Sequence, residues 1–135
     1  ILTNMRLCAN VPAQFAIQTA LGGHQSINEL ILPGGRLKQQ RDVTWELINQ
    51  IPGITCVKPM GAIYLFPKLD PTVYDIKDDA SLILDILDQE KILLVQGSAF
   101  NITDQQHFRI VFLPREGELS QAIKQIGSVL EQYRN

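Results

Sequence analysis

The sequence predicts an α+β domain in which a small, mainly antiparallel, four-stranded sheet is covered by helices. The chain has 135 residues, of which 45% are hydrophobic. That is enough for one core and too little for two, so we expect a single domain. The residue patterns run in the order helices, two strands, a helix, two strands and a final helix, which favours an α+β architecture with helices on one face of the sheet.

The first helical pattern extends over Leu2–Leu21. Pro12 interrupts this pattern near Asn10, because proline has no amide hydrogen to donate and disfavours helix at the residue before it. Gly22 and Gly23 follow, and glycine commonly ends a helix. We therefore expect helical structure ahead of the first strand.

The middle of the chain predicts a second helix and a hairpin. The helical pattern runs from about Gly35 to Gln50. Ile54–Lys58 alternates in polarity and Ala62–Phe66 is continuously apolar, and both are typical of strands. The short connection contains Pro59 and Gly61, so these strands are expected to pair as an antiparallel hairpin.

A third helix and two more strands follow. Asp78 or Asp79 is expected to cap a helix that ends near Lys91. Ile92–Gln96 and His107–Pro114 have the β-branched and aromatic composition of strands.

Between these strands lies GSAFNITDQQ, a loop of ten residues that is longer than a hairpin requires. The last helix is expected over Glu116–Tyr133.

The charge balance bears on the kind of partner. Twelve Lys and Arg against fourteen Asp and Glu give a formal charge of −2, without long runs of one sign. Such a surface lacks the electrostatic footprint of a nucleic-acid or anionic-lipid binder, so the expected partners are small molecules or proteins. No apolar run approaches the roughly 20 residues that span a bilayer, and no signal-peptide pattern is present.

Cys8 and Cys56, the only two cysteines, lie in apolar surroundings that suit free thiols. A reduced, cytoplasmic location fits them, and two cysteines also leave a disulfide open. The sequence begins at Ile1 without an initiator methionine, and we expect it to be part of a longer protein.

Arg109 is the main candidate for a functional residue, because it interrupts the apolar strand HFRIVFLP. Alternation places it on the same face as Val111 and Leu113. A buried guanidinium without a partner costs several kcal/mol, so an anion is expected to meet it. Two purely structural roles are also open for Arg109: an ion pair with Asp104, or a side chain that reaches water at the end of the strand.

Metal binding and catalysis by a serine nucleophile have weaker support. The candidate metal ligands Cys8, His24, Cys56 and His107 lie far apart in the sequence, so no metal site is expected. Ser98 lacks the G-x-S-x-G frame of an activated nucleophile.

Four stretches of the chain, taken in order, carry a family resemblance. They are NVPAQFAIQTAL (Asn10–Leu21), KPMGAIYLFPKLD (Lys58–Asp70), LLVQGSAFN (Leu93–Asn101) and HFRIVFLP (His107–Pro114). Together they resemble the C-terminal part of class I and II pyridoxal-phosphate aminotransferases of fold type I. The resemblance covers essentially the whole chain and is closest to bacterial alanine-forming, glutamate–pyruvate aminotransferases and aspartate aminotransferase-like proteins.

The resemblance implies a role for Arg109. The matching strand of the family carries the arginine that binds the α-carboxylate of the substrate. The family's loop Pro-Gly-x-x-Phe-Gly corresponds to residues 96–101, with Gln96 in place of the proline and Asn101 in place of the last glycine. Gly97 and Phe100 are retained.

The resemblance also implies which parts of the site lie elsewhere. In the family, the lysine that bonds pyridoxal 5'-phosphate and most of the residues that hold this cofactor precede the matched stretches. None of the six lysines of this chain has that sequence context. Residues 1–135 are therefore expected to be the C-terminal small domain, with residues 1–34 as the helical connection from a large domain. No catalytic or cofactor-binding residue is expected in the chain itself.

The implied activity is transfer of an amino group between an amino acid and a 2-oxo acid, with glutamate and pyruvate giving 2-oxoglutarate and alanine. The family resemblance further implies a homodimer, and this chain alone is expected to be inactive. Two other interpretations of the pattern stay open. One is a non-catalytic, amino-acid-sensing α+β domain that uses Arg109 to bind its ligand, and the other is a structural assembly module.

Overall fold

A computed structural model describes residues 10–135 of the chain. Helix α1 (Val11–Gly22) begins at Asn10, whose side-chain oxygen accepts a hydrogen bond from the Ala13 amide at 3.2 Å. Pro12 lies in the first turn, where its missing amide hydrogen costs no helical hydrogen bond. The predicted boundary at Asn10 and the glycine stop are confirmed, whereas the predicted helical residues before Asn10 and the thiol of Cys8 lie outside the described residues.

Two more helices lie between α1 and the first strand. The short helix α2 (Ile27–Ile31) was not predicted, and helix α3 (Arg36–Asn49) confirms the predicted second helix to within one residue at each end. Two of the three side chains that α3 buries are polar, Gln40 and Thr44. The Gln40 amide donates to the backbone oxygen of Leu113 at 2.9 Å and also to that of Pro114. This helix therefore holds the segment that follows the last strand.

The strands form two small antiparallel sheets. In the first, β1 (Ile54–Thr55) pairs with β3 (Lys68–Leu69). In the second, β2 (Tyr64–Leu65) and β4 (Val95–Gln96) lie on either side of the central strand β5 (Phe108–Val111). The predicted single four-stranded sheet is wrong, and so is the predicted hairpin between the first two strands.

The two sheets share one stretch of chain, residues 64–69, which runs antiparallel to the β5 segment in a single register. Tyr64 pairs with Val111 and Leu65 with Ile110, and beyond Pro67 an isolated bridge pairs Lys68 with His107. Pro67 has no amide hydrogen, so it removes one donor from this ladder. The Pro67 oxygen accepts a hydrogen bond from the Phe108 amide at 3.3 Å, and the Leu69 amide then donates to the Gln106 oxygen at 2.7 Å. Pairing with the β5 segment thus continues past Pro67, and β3 pairs in addition with β1.

Helices α4 (Asp79–Glu90) and α5 (Glu116–Leu130) confirm the remaining helical predictions. A short 3₁₀ helix, Glu131–Tyr133, extends α5 to the predicted end. The core includes the buried residues Leu65, Leu82, Ile86, Phe108, Ile110, Phe112, Ile123, Ile126 and Leu130. Among the described residues, none of the helices combines the length and the apolar character that crossing a bilayer requires.

A cluster of charges around Asp42 of α3 should make the stability of the protein depend on pH. Asp42 contacts Lys38 at 2.7 Å, Arg41 at 2.7 Å and Lys58 at 2.9 Å. Burial opposes ionisation of Asp42, but the three cations outweigh it and hold the pKa of this carboxyl well below its usual range. Because the folded pKa is lowered, the stabilisation is complete above the unfolded pKa of about 4 and is lost as the pH falls below it.

We expect the urea midpoint of the protein to fall between about pH 5 and pH 2, and Asp42→Asn to reduce this fall. Asp88→Asn is the matched control, because the Asp88 side chain is 90% exposed and lies 3.7 Å from Lys91. Its pH profile should follow that of the unsubstituted protein. An Asp42→Asn profile as steep as the control would contradict the prediction.

Candidate functional site

Arg109 lies in β5, the central strand of the three-stranded sheet. Its neighbours Phe108 and Ile110 are 1% and 4% exposed and face the core, whereas Arg109 is half-buried and Val111 is exposed. The alternation predicted from the sequence places Arg109 on the opposite face, away from the packed interior. The guanidinium is thus only partly withdrawn from water, and the desolvation cost is smaller than for a residue in the core.

Two aromatic rings flank the Arg109 guanidinium. Its Cζ atom lies 4.5 Å from the centroid of the Tyr64 ring and 4.9 Å from the centroid of the Phe100 ring. Both distances suit cation–π attraction, for which the planar guanidinium is well adapted. Tyr64 comes from the adjacent strand β2 and Phe100 from the turn after β4, so the rings restrict the orientation of the guanidinium from two directions.

The charge of Arg109 has no carboxylate partner among residues 10–135. Asp104, the partner considered from the sequence, contacts His107 at 2.9 Å and Lys68 at 3.3 Å instead. The Arg109 Nε atom is buried and has no hydrogen-bond acceptor within this described part. A guanidinium held in orientation with donors left unused can bind a planar anion through two parallel hydrogen bonds.

A 3₁₀ turn, Gly97–Phe100, occupies the start of the predicted loop. The Gly97 amide donates to the His107 oxygen at 2.8 Å. A Cβ atom on Gly97 would lie 2.8 Å from the His107 Cβ atom and 2.9 Å from its oxygen, so a larger residue does not fit. Glycine here allows the turn to approach β5 closely enough for Phe100 to cover Arg109.

The two departures from the family loop fit the backbone. Gln96 has a φ angle of −65°, the value that proline imposes, so glutamine reaches the same conformation without the ring. Asn101 has a φ angle of 60°, in the left-handed region that glycine and asparagine tolerate best. Neither substitution therefore requires a different turn.

Asp79 is a residue of this site that the sequence did not indicate. The sequence expectation was that Asp78 or Asp79 caps α4, and Asp78 does so by accepting from the Ser81 amide at 3.0 Å. Asp79 is 2% exposed and accepts hydrogen bonds from the amide and the hydroxyl of Ser98, both at 2.8 Å. The sequence feature that could have indicated a separate role for Asp79 is its position next to Asp78, because a helix needs only one capping residue.

The other candidate residues from the sequence do not gather around Arg109. His24 is exposed in the connection between α1 and α2, and Cys56 is buried next to β1, where burial raises the pKa of its thiol. The His107 ring stacks on Phe66 with a centroid distance of 5.4 Å. Within the described part of the chain, no three His, Cys, Asp or Glu side chains are grouped as metal ligands.

The sequence profile of the family described as aminotransferase class I and II matches residues 3–126. The chain belongs to this family. It shares 59% identity over 134 residues with the alanine aminotransferase of Mycobacterium tuberculosis, covering 99% of the chain and 31% of that protein. It shares 59% identity with the glutamate-pyruvate aminotransferase AlaA of Haemophilus influenzae, covering 99% of the chain and 33% of that protein.

The fold is similar to that of a solved aminotransferase from Escherichia coli. The TM-score is 0.87 at 57% identity, covering 99% of the chain and 33% of that structure. The predicted family and the mixed helix and strand architecture with antiparallel strand pairing are confirmed. The chain spans about a third of the length of the relatives that it matches.

The family depends on pyridoxal phosphate, a cofactor that bonds a lysine amine and needs several donors for its phosphate. In the described part of the chain, five lysines are paired with carboxylates, namely Lys38, Lys58, Lys68, Lys77 and Lys91. Lys124 is exposed on α5. Among residues 10–135, each lysine is thus paired with a carboxylate or exposed on the surface.

Proposed function

We propose that the protein is an aminotransferase that moves an amino group between an amino acid and a 2-oxo acid. Membership of the family and the names of relatives at 59% identity support this proposal over the amino-acid sensor and the structural module. Those names also favour glutamate and pyruvate as substrates, with 2-oxoglutarate and alanine as products. The chain matches about a third of these relatives, so the proposal concerns the full-length protein.

In this proposal, residues 1–135 are the C-terminal small domain, and residues 1–34 connect it to a large domain that binds pyridoxal phosphate. The exposure of α1 supports this arrangement. None of its residues is buried, and Phe15 and Leu21 are 83% and 76% exposed. Large apolar side chains left uncovered are typical of surfaces that meet another domain or a second subunit. We include a homodimer and a cytoplasmic location in the proposal.

Arg109 binds the α-carboxylate of the substrate in this proposal. The observation that supports this role is the guanidinium held between Tyr64 and Phe100 without a carboxylate partner among the described residues. A carboxylate matches the two parallel donors of arginine and would accept from the unused Nε. Both the amino acid and the 2-oxo acid carry this carboxylate, so one residue orients both substrates.

The activity is tested with the full-length protein supplied with pyridoxal phosphate, glutamate and pyruvate. We expect alanine and 2-oxoglutarate to form in equal amounts, and we expect kcat/KM for pyruvate to exceed that for oxaloacetate. Omission of pyridoxal phosphate after dialysis against a carbonyl reagent is the control. Binding of free alanine to the cofactor-free protein, with no amino transfer when the cofactor is restored, would support the sensor and overturn the proposal.

A further inference from the structure

We propose that Asp79 is a positioning residue for the Arg109 carboxylate site, acting through Ser98 and Phe100. This inference rests on the proposed function of Arg109 and adds a residue that neither touches the substrate nor lies near Arg109 in the sequence. The connection runs from the first turn of α4, through the 3₁₀ turn that follows β4, to the aromatic ring that covers the guanidinium.

The contact between Asp79 and Ser98 is the first step. Asp79 is 2% exposed, and each of its two carboxylate oxygens accepts one hydrogen bond at 2.8 Å, one from the Ser98 amide and one from the Ser98 hydroxyl. A buried carboxylate is tolerated only when donors satisfy it, and hydrogen bonds to a charged acceptor are about twice as strong as neutral ones. Both bonds go to the same residue, so Asp79 fixes the position of the turn relative to α4.

The turn then places Phe100. Ser98 and Phe100 belong to the same four-residue 3₁₀ turn, which the hydrogen bond from the Asn101 amide to the Ser98 oxygen closes at 3.1 Å. Phe100 is 42% exposed, and its ring meets the Phe66 ring edge-on at 5.6 Å. Because packing covers only part of the ring, its position over Arg109 depends on the backbone of the turn.

The position of Phe100 determines how firmly Arg109 is oriented. Arginine loses side-chain entropy when it is fixed, and a site that fixes the side chain in advance binds its ligand more tightly. If the turn moves, one of the two rings leaves the guanidinium and only Tyr64 restricts it. Substrate binding should then weaken, whereas the chemical step, which belongs to residues elsewhere, should change little.

The experiment compares Asp79→Asn with Asp78→Asn in the full-length, cofactor-loaded enzyme. The two variants carry the same substitution at adjacent positions, and asparagine caps a helix as well as aspartate does. We expect Asp79→Asn to raise the KM for alanine and the inhibition constant of propionate about 5- to 20-fold, with kcat within about twofold. Asp78→Asn should leave all three values within about twofold. An unchanged KM and inhibition constant in Asp79→Asn would overturn the inference.

A double variant tests whether Asp79 acts through the ring. Phe100→Leu removes the aromatic face and keeps an apolar side chain, so it should reproduce the increase in KM. If Asp79 acts through Phe100, the double variant Asp79→Asn, Phe100→Leu should be no worse than Phe100→Leu alone. If the increases in KM of the two single variants multiply in the double variant, the inference is overturned. If Asp79→Asn fails to fold, Ser98→Ala takes its place, with an expected increase of about two- to fivefold and the same double variant.

Arg109→Gln in the same assay separates this inference from the proposed function. If Arg109→Gln leaves the inhibition constant of propionate unchanged, the carboxylate role of Arg109 is wrong and this inference is overturned with it. If Arg109→Gln weakens the binding of propionate and Asp79→Asn does not, only the role of Asp79 is overturned.

Discussion

Arg109→Lys is expected to lower kcat/KM of the full-length enzyme by about one to two orders of magnitude for amino acids and 2-oxo acids alike. A hydrogen bond to a charged group contributes roughly 1.5 to 3 kcal/mol, and lysine retains the charge but loses the second parallel donor. A carboxylate held at one point can rotate, so the reacting bond is oriented less well. The loss should be similar for both half-reactions, because both substrates carry the same carboxylate.

Arg134→Lys is the matched control for this substitution. Arg134 also lies over an aromatic ring, with its Cζ atom 5.7 Å from the Tyr74 centroid, and it pairs with Glu131 at 2.7 Å. The same exchange of functional group should therefore leave kcat/KM within about twofold.

The thermal midpoint and the amount of retained cofactor distinguish a binding role of Arg109 from a structural one. A binding role predicts that both stay near the values of the unsubstituted enzyme in Arg109→Lys. A structural role predicts that both fall together. A stable Arg109→Lys variant with undiminished kcat/KM would contradict the proposal that Arg109 binds the substrate carboxylate.

The sequence did not predict the short helix α2, but it predicted the ends of α3 and α4 well, because helix ends depend on residues close to one another in the chain. Asn10 and Asp78 cap the amides three residues further on, and Lys91 ends α4 in a left-handed conformation. Such signals need no knowledge of the rest of the fold. The boundaries of α3 and α4 accordingly agree with the prediction to within one residue.

Strand pairing was not predictable in the same way. Tyr64 pairs with Val111, far along the chain, and the two residues that follow Pro67 pair with β1. The ladders have only two residue pairs each, so side-chain alternation hardly constrains which strands meet. Proximity in sequence favoured the hairpin, whereas residues 64–69 pair with the distant β5 segment and, through β3, with β1.

The candidate site was predictable in part. An arginine inside an apolar strand can be recognised from the sequence, and Arg109 was recognised in this way. The rings of Tyr64 and Phe100 reach it from other elements, and the contact from Asp79 to Ser98 joins residues 19 positions apart. The structure was required to show these partners, because local patterns carry no information about side chains that meet only in the folded chain.

The last prediction concerns Gly97, where the sheet and the site depend on the same close contact. In Gly97→Ala, the new Cβ atom would lie 2.8 Å from the Cβ atom of His107 and 2.9 Å from its backbone oxygen. Neither is the far end of a flexible side chain, so β4 must move away from β5 and weaken the hydrogen bond from the Gly97 amide to His107. We expect a loss of about 1 to 3 kcal/mol in the free energy of unfolding, typical of a clash between packed elements.

Gly117→Ala is the control, because a Cβ atom there meets nothing within 4 Å and alanine favours the helix in which residue 117 lies. Its free energy of unfolding should stay the same or rise by up to about 1 kcal/mol. Urea denaturation measures both variants, and the KM for alanine of the full-length enzyme reports on the site. Gly97→Ala should raise this KM, since the displaced turn carries Phe100 away from Arg109, whereas Gly117→Ala should not. A Gly97→Ala variant as stable as Gly117→Ala would contradict the steric argument.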